Sequence, residues 1–257
     1  MTALLEVDGI SRRFGGLNAL KDVTFSVNKG EIVGLIGPNG AGKTTCFNVV
    51  SGVMAPTAGA IRFKGSSIVG KKPSAIVGQG LVRTFQATTV FPEASVIENV
   101  MRGAFATTHV SMLASVFNTR AARSTLSETS KRCDVLLDRL QLTPYREWRA
   151  GELSYGGQRR LGVAIALAAD PKLLMLDEPV AGLNPEEAAE FGRLIREIHE
   201  TEDVAVLLVE HHMRLVMGLC HRIVVLDHGE LIAEGKPAEI SADRKVIEAY
   251  LGAEEIG

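Results

Sequence analysis

Cysteine is scarce: Cys46, Cys133 and Cys220 stand far apart in 257 residues and are odd in number. That excludes a disulfide framework and matches no metal-ligand spacing, so reduced thiols in a cytosolic protein are expected. An excess of charge of one sign is lacking too. Lys and Arg total 28 and Asp and Glu 30, a formal net charge of −2 that gives no electrostatic footprint for a nucleic acid or an acidic membrane surface. Long apolar runs are absent. Stretches such as 163–169 fall far short of the ~20 residues that span a bilayer. The N-terminal segment carries Glu6 and Asp8 where a secretory leader needs an apolar core, so no signal peptide is expected. Any work at a membrane is therefore expected from outside the lipid. What the chain has in quantity is apolar residues, 46% of the total. At about 150 residues per domain, that is one or two domains with a large core.

The most informative stretch is Gly37-Pro38-Asn39-Gly40-Ala41-Gly42-Lys43-Thr44-Thr45. It follows an apolar β-type run at 32–36 and precedes a segment with helical potential at 45–50. It matches G-x-x-x-x-G-K-[ST] in the strand–loop–helix context of a phosphate-binding loop. Glycines let successive N–H groups turn inward at phosphate oxygens, and the helix adds its unpaired N-terminal donors. Lys43 can reach β- and γ-phosphates, and the Thr44 hydroxyl can ligate Mg²⁺. A dinucleotide fingerprint is not matched here.

Alternation at 4–7 and 22–27 predicts half-exposed antiparallel strands. Between them Phe14 precedes two glycines, either as a loop anchor or as a flat ring able to stack on adenine. A turn at 55–59 leads to a strand near 60–63, and 81–85 reads as another strand, ending in Gln86. Gln86 is either a solvated loop residue or a polar group at a strand end where sites gather. Helical periodicity takes over at 96–101 and 124–142, with Val135, Leu136 and Leu140 spaced for one face. The stretch 103–119 is apolar and poor in charge, suiting a core helix or a docking surface. Ser154 before glycines and an apolar helix reads as a helix cap or a second anion site. The run ending Leu176-Asp177-Glu178-Pro179 suits a strand buried on both faces. There Asp177 can hold Mg²⁺ and Glu178 can orient or deprotonate a water, or both acids cap the helix beginning near Pro185. A further buried strand at 204–209 ends in Glu210-His211-His212, where a donor to a γ-phosphate suits the position better than a metal ligand. Residues 222–227 and 230–234 read as a hairpin, and 244–251 as a short closing helix.

Taken in order, these motifs resemble an ABC-type ATPase over the whole chain. The resemblance implies an α/β fold, a P-loop NTPase with a RecA-like core (about 1–86 and 171–257), an antiparallel β subdomain and an inserted α-helical subdomain (about 87–170). It implies ATP and Mg²⁺ as cofactors. By residue, Phe14 is then the adenine-stacking aromatic and Gly37 through Thr45 the Walker A loop. Gln86 joins γ-phosphate and Mg²⁺ to the transport channel. Ser154 and Gly156 clamp the partner subunit's ATP. Asp177 is the Walker B aspartate, Glu178 the catalytic glutamate and His211 the switch histidine. Arg83-Thr84-Phe85-Gln86, Glu98-Asn99-Val100-Met101, Ala181-Gly182-Leu183-Asn184 and the tail at 240–251 are similar to the longer ATPase subunit of branched-chain amino-acid importers. Four positions in three motifs depart from the common pattern. Tyr155 and Gly157 replace the first Gly and the Gln of Leu-Ser-Gly-Gly-Gln, Asn184 replaces an Asp, and His212 stands where Asp is usual. Of the two histidines, alignment favours His211.

The resemblance implies membrane-spanning permease subunits, a second ATPase subunit (homodimer or paralogous heterodimer) and, indirectly, a periplasmic or extracellular solute-binding protein. The expected place is the cytoplasmic face of the inner membrane. Urea or amide import and lipopolysaccharide export are the related alternatives. A non-transport ABC ATPase in DNA repair or translation would bring fused cassettes, coiled-coil inserts or basic surfaces, none of which is present.

Overall fold

The computed structural model of the protein describes residues 3–84, 90–105 and 120–254. Among the described residues ten strands form two sheets. The larger is built from β3 (Ile32–Ile36), β6 (Leu81–Arg83), β7 (Leu173–Asp177), β8 (Ala205–Val209), β9 (Arg222–Asp227) and β10 (Glu230–Gly235), in the order β10-β9-β3-β8-β7-β6. Its strands are parallel except β10, which turns back on β9 as the 222–234 patterning predicts. Every residue of β3, β7 and β8 is buried. The reason is that the sheet has a core on each face: Leu174, Leu176, Val206 and Leu208 point to one, Leu173, Met175, Leu207 and Val209 to the other. Alternate residues entering two apolar layers leave no solvent face, hence uninterrupted apolar runs.

The second sheet joins β1 (Ala3–Phe14), β2 (Leu17–Asn28), β4 (Ala58–Phe63) and β5 (Ser66–Ser67) in the order β2-β1-β4-β5, all antiparallel. The two long strands extend well beyond 4–7 and 22–27 and carry several register shifts, which bend the hairpin over the core. Their inner faces pack with α1 (Lys43–Val50) and the underside of the large sheet. β6 stops at Arg83, short of the expected 85, and Phe85 and Gln86 lie outside the described residues. α2 (Pro73–Val77), with Pro73 in its first turn, was not expected.

Helices α3 (Val96–Phe105), α4 (Arg120–Arg139) and α5 (Tyr155–Ala168) pack on one another, and most of 103–119 lies outside the described residues. α3 opens with a reciprocal cap: Ser95 N–H donates to Glu98 Oε2 (2.8 Å) and Glu98 N–H to Ser95 Oγ (3.3 Å). One expectation is corrected on α4. Val135 is 52% exposed, whereas Cys133, Leu136, Leu137 and Leu140 are buried. The apolar stripe runs through 133, 136, 137 and 140, a helical i, i+3, i+4, i+7 set that omits 135.

α3 and α5 meet at Gly103, where a Cβ would stand 2.1 Å from the Ile165 carbonyl oxygen. Backbone, not a movable side chain, fills that space. Gly103→Ala is therefore expected to cost about 1–3 kcal/mol by forced separation of the helices. Thermal denaturation checks it, with a fall of several degrees expected.

Past β7 come α6 (Pro185–Glu202), then α7 (Met213–Leu219) after β8. The hairpin β9–β10 leads to α8 (Pro237–Ala242) and α9 (Arg244–Glu254), which runs three residues beyond the expected end. Among the described residues no helix is long and apolar enough to cross a membrane. Burial pushes the thiols of Cys46 and Cys220 up to about 12 and that of Cys133 to about 11, so none is a thiolate at neutral pH.

Candidate functional site

The sheet order decides the site. β3, β8 and β7 are neighbours, and all three end on one edge of the sheet. Their ends carry the phosphate loop, Glu210-His211-His212 and Asp177-Glu178, three segments far apart in sequence. The carboxyl ends of parallel strands are where α/β sheets bind ligands.

The loop at 37–42 has the backbone that its glycines permit. Gly37, Gly40 and Gly42 have φ of 152°, 81° and 100°. A Cβ at Gly37 would lie 2.1 Å from the Leu226 carbonyl oxygen, and one at Gly42 2.6 Å from that of Ala19. Gly42 caps α1 without a side-chain acceptor, and no acid occupies the first turn. The helix N-terminus thus keeps its N–H donors for an external anion. Lys43 is 9% exposed, and its ammonium donates to the carbonyls of Gly37 (2.7 Å) and Pro38 (2.9 Å). Burial lowers its pKa, while the Glu178 carboxylate pulls it back up. An enclosed cation with weak carbonyl partners is a strong anion ligand.

A cleft of about 590 Å³ runs along this loop and is lined by Phe14, Asn39, Lys43, Thr44, Thr45 and Glu178, among others. Phe14 is the last residue of β1 and is 42% exposed, with the Arg12 guanidinium 4.8 Å from its ring centre. It sits at a strand end, with its ring partly open on the cleft. Glu178 takes φ of 46°, uncommon for a residue with a Cβ, and its N–H donates to Val209 O at 2.9 Å. Its Oε1 lies 3.8 Å from His211 Nδ1. His212 instead stands at the N-cap position of α7, without a side-chain hydrogen bond to the helix.

Asp177, 7% exposed, accepts from Arg83 Nη2 at 2.6 Å. Arg83 Nη1 also donates to Asn48 Oδ1 (2.7 Å) and Ser51 Oγ (3.1 Å), so this guanidinium ties α1, β6 and β7 together. Among the described residues no group of three or more Asp, Glu, His or Cys could hold a metal. Mg²⁺ needs fewer: one or two carboxylates, with a hydroxyl and phosphate oxygens completing the shell. Asp177 and Thr44 supply oxygen donors of that kind.

Ser154 and Gly156 are elsewhere. Ser154 caps α5, its hydroxyl accepting from Gly157 N–H at 3.1 Å, which is the helix-cap expectation. Both residues line a second cleft, about 510 Å³, with Trp148, Arg160 and Glu187. Among the described residues none lines both clefts. A side chain at Gly157 would press on Leu153, its Cβ 3.2 Å from that of Leu153. Asn184 caps α6, accepting from Glu186 N–H (3.0 Å) and Glu187 N–H (2.9 Å).

Two buried polar side chains that hold segments of the site, Asn99 and Glu210, stood in the sequence only inside longer motifs, with no role of their own. Asn99, 1% exposed, holds the loop before α3: its Oδ1 accepts from Phe91 N–H (2.8 Å) and its Nδ2 donates to Phe91 O (3.0 Å). The Phe91 ring itself stays 55% exposed beneath the Arg102 guanidinium, 4.1 Å from the ring centre. Glu210 is fully buried. The available signal was the same for Asn99 and Glu210: a polar residue set inside or against an apolar run, where burial forces it to find partners.

A family model described as ABC transporter matches residues 20–181, and one described as branched-chain amino acid ATP-binding cassette transporter matches 230–256. The high-affinity branched-chain amino acid transport ATP-binding protein BraF of Pseudomonas aeruginosa is 42% identical over 97% of this chain and 98% of its own. LivG of Escherichia coli, with the same description, is 41% identical over the same shares. The lipopolysaccharide export system ATP-binding protein LptB of Escherichia coli is 33% identical. Among solved structures, the ADP conformation of an ATP-binding cassette of an ABC transporter superposes with a TM-score of 0.85 at 31% identity, covering 98% of this chain and 100% of that one.

Proposed function

This chain belongs to the ATP-binding proteins of ABC transporters, and on that premise we propose that it is the ATP-hydrolysing subunit of an importer for branched-chain or other hydrophobic amino acids. The observation that carries the reading is the single cleft joining the phosphate loop, Lys43, Thr44 and Glu178. In it Lys43 and the α1 N-terminus bind the phosphates, and Phe14 stacks on the adenine. Thr44 and Asp177 would hold Mg²⁺, which supplies charge neutralisation at the transferred phosphate. Glu178 takes the proton of the attacking water, and His211, which lines a neighbouring cleft but lies within 3.8 Å of Glu178, would contact the γ-phosphate from beside it. Gln86 belongs to the same set and lies outside the described residues. The greater identity to the amino-acid transport proteins than to LptB favours import of amino acids over lipopolysaccharide export.

Ser154 and Gly156 serve a partner. Their cleft is separate from the phosphate cleft of the same chain, so they reach a nucleotide only across a subunit interface. A two-fold pair would complete two sites, whether the second subunit is identical or paralogous. We place this pair on the cytoplasmic face of the membrane, with the helical lobe at about 87–170 toward the permease subunits. The test is sedimentation of Glu178→Gln. A dimer is expected that forms with MgATP and is lost with MgADP, and a monomer at saturating MgATP would overturn a self-paired assembly.

Phe91 marks the docking groove. A half-exposed aromatic, fixed in place by Asn99, is suited to burying an apolar knob from a permease helix. Phe91→Ala is expected to weaken capture of the permease subunits by about 2 kcal/mol while leaving ATP affinity within about twofold of wild type. Pull-down alongside nucleotide titration checks it. Parallel loss of both would make Phe91 a structural residue.

A further inference from the structure

Glu210 is the most completely buried charged side chain in the neighbourhood of the site, with no exposed surface. Its carboxylate pairs with no Lys, Arg or His side chain among the described residues. It is held instead by backbone donors from two segments. Oε1 accepts from Val180 N–H at 3.1 Å, and Oε2 accepts from His211 N–H at 3.1 Å and His212 N–H at 3.3 Å. A carboxyl group taken out of water is costly unless its oxygens find donors, and its satisfaction by three N–H groups ties it to this geometry.

The two segments are those that carry Glu178 and His211. Val180 lies two residues past Glu178, and the turn between them is closed by Ala181 N–H on Glu178 O (3.2 Å). The Glu178 N–H hangs on Val209 O, the residue before Glu210 (2.9 Å). Val209 at the end of β8 therefore grips the Glu178 turn by its backbone, and the Glu210 side chain grips the far side of that turn and the start of the histidine segment together. Glu178 keeps φ of 46° within this frame.

We propose that Glu210 is a positioning residue that holds the Glu178–His211 pair in register by bridging the backbone of both segments. The inference rests on Glu178 and His211 acting in hydrolysis. Glu210→Gln keeps size and shape, but an amide offers one acceptor oxygen and turns an NH₂ toward a backbone donor. One segment loses its tether.

The test is steady-state ATP hydrolysis by the full chain, with nucleotide titration and thermal melting of each variant. Glu210→Gln is expected to lower kcat about 10- to 100-fold, the cost of misplacing a reacting group by about 1 Å. KM and nucleotide affinity should stay within about twofold. In a His211→Ala background there is no pair left to hold, so the same substitution should cost about twofold at most. Glu210→Asp, which keeps the charge but draws it back by one methylene, should reproduce the loss. An unchanged kcat, an equal loss in the His211→Ala background, or melting lowered by more than about 10 °C in both Glu210 variants overturns the proposal, the last in favour of a purely structural role. Glu178→Gln and His211→Ala alone report on the underlying reading: if neither lowers kcat, that reading fails, whereas their loss with an active Glu210→Gln removes only the positioning role.

Discussion

Glu178→Gln is expected to bind MgATP as the wild-type chain does and to hydrolyse it about 10²–10⁴ times more slowly. The substitution is nearly isosteric, so the left-handed backbone at φ of 46° and the N–H bond to Val209 O are kept. What goes is the carboxylate that accepts the proton of water. Lys43, Thr44 and the loop N–H groups, which bind phosphate, are untouched, so affinity should hold. One secondary effect follows from the electrostatics. The Glu178 carboxylate raises the Lys43 pKa against burial. Its neutralisation therefore leaves the ammonium less well compensated and more available to phosphate, so affinity should rise if it moves at all. Single-turnover hydrolysis with nucleotide titration checks both parts. Hydrolysis within about twofold of wild type would remove Glu178 from the chemistry.

Lys43→Ala is expected to fail earlier, at binding. Hydrogen bonds to charged groups contribute about 1.5–3 kcal/mol, so loss of the ammonium predicts about a 10- to 150-fold weaker ATP Kd. The structure adds a second reason. The same ammonium ties the Gly37 and Pro38 carbonyls at 2.7 and 2.9 Å, so it also holds the loop in shape while no phosphate is bound. Removing it takes a donor from the buried Gly37 carbonyl and leaves Pro38 O with Ala41 N–H alone, at 3.2 Å. A melting temperature lowered in the absence of nucleotide, together with weaker binding, is the expected signature. Near-normal affinity would mean that the backbone donors alone carry the phosphate.

These two residues could be picked from the sequence because their signals are local. A phosphate loop is a backbone conformation, and Gly37, Gly40 and Gly42 are needed where a Cβ would strike the chain or strain the turn. The buried strands β3, β7 and β8 were legible for a similar reason: a strand covered on both faces must be apolar throughout. Helix faces were less legible. Val135 sits inside the apolar pattern of α4 yet faces outward, because one residue is a 100° rotation and the stripe is narrow.

Sequence by itself determined the phosphate loop, the doubly buried strands and the acids that end one of them, since each depends on neighbours in the chain. Tertiary structure alone decided that β8 lies between β3 and β7, which brings Glu178 within 3.8 Å of His211. It also placed Ser154 and Gly156 in a cleft apart from Lys43. Strand order and the partners of buried polar groups such as Asn99, Arg83 and Glu210 are contacts between distant segments. They are set by which faces must be covered together and not by any local pattern of residues.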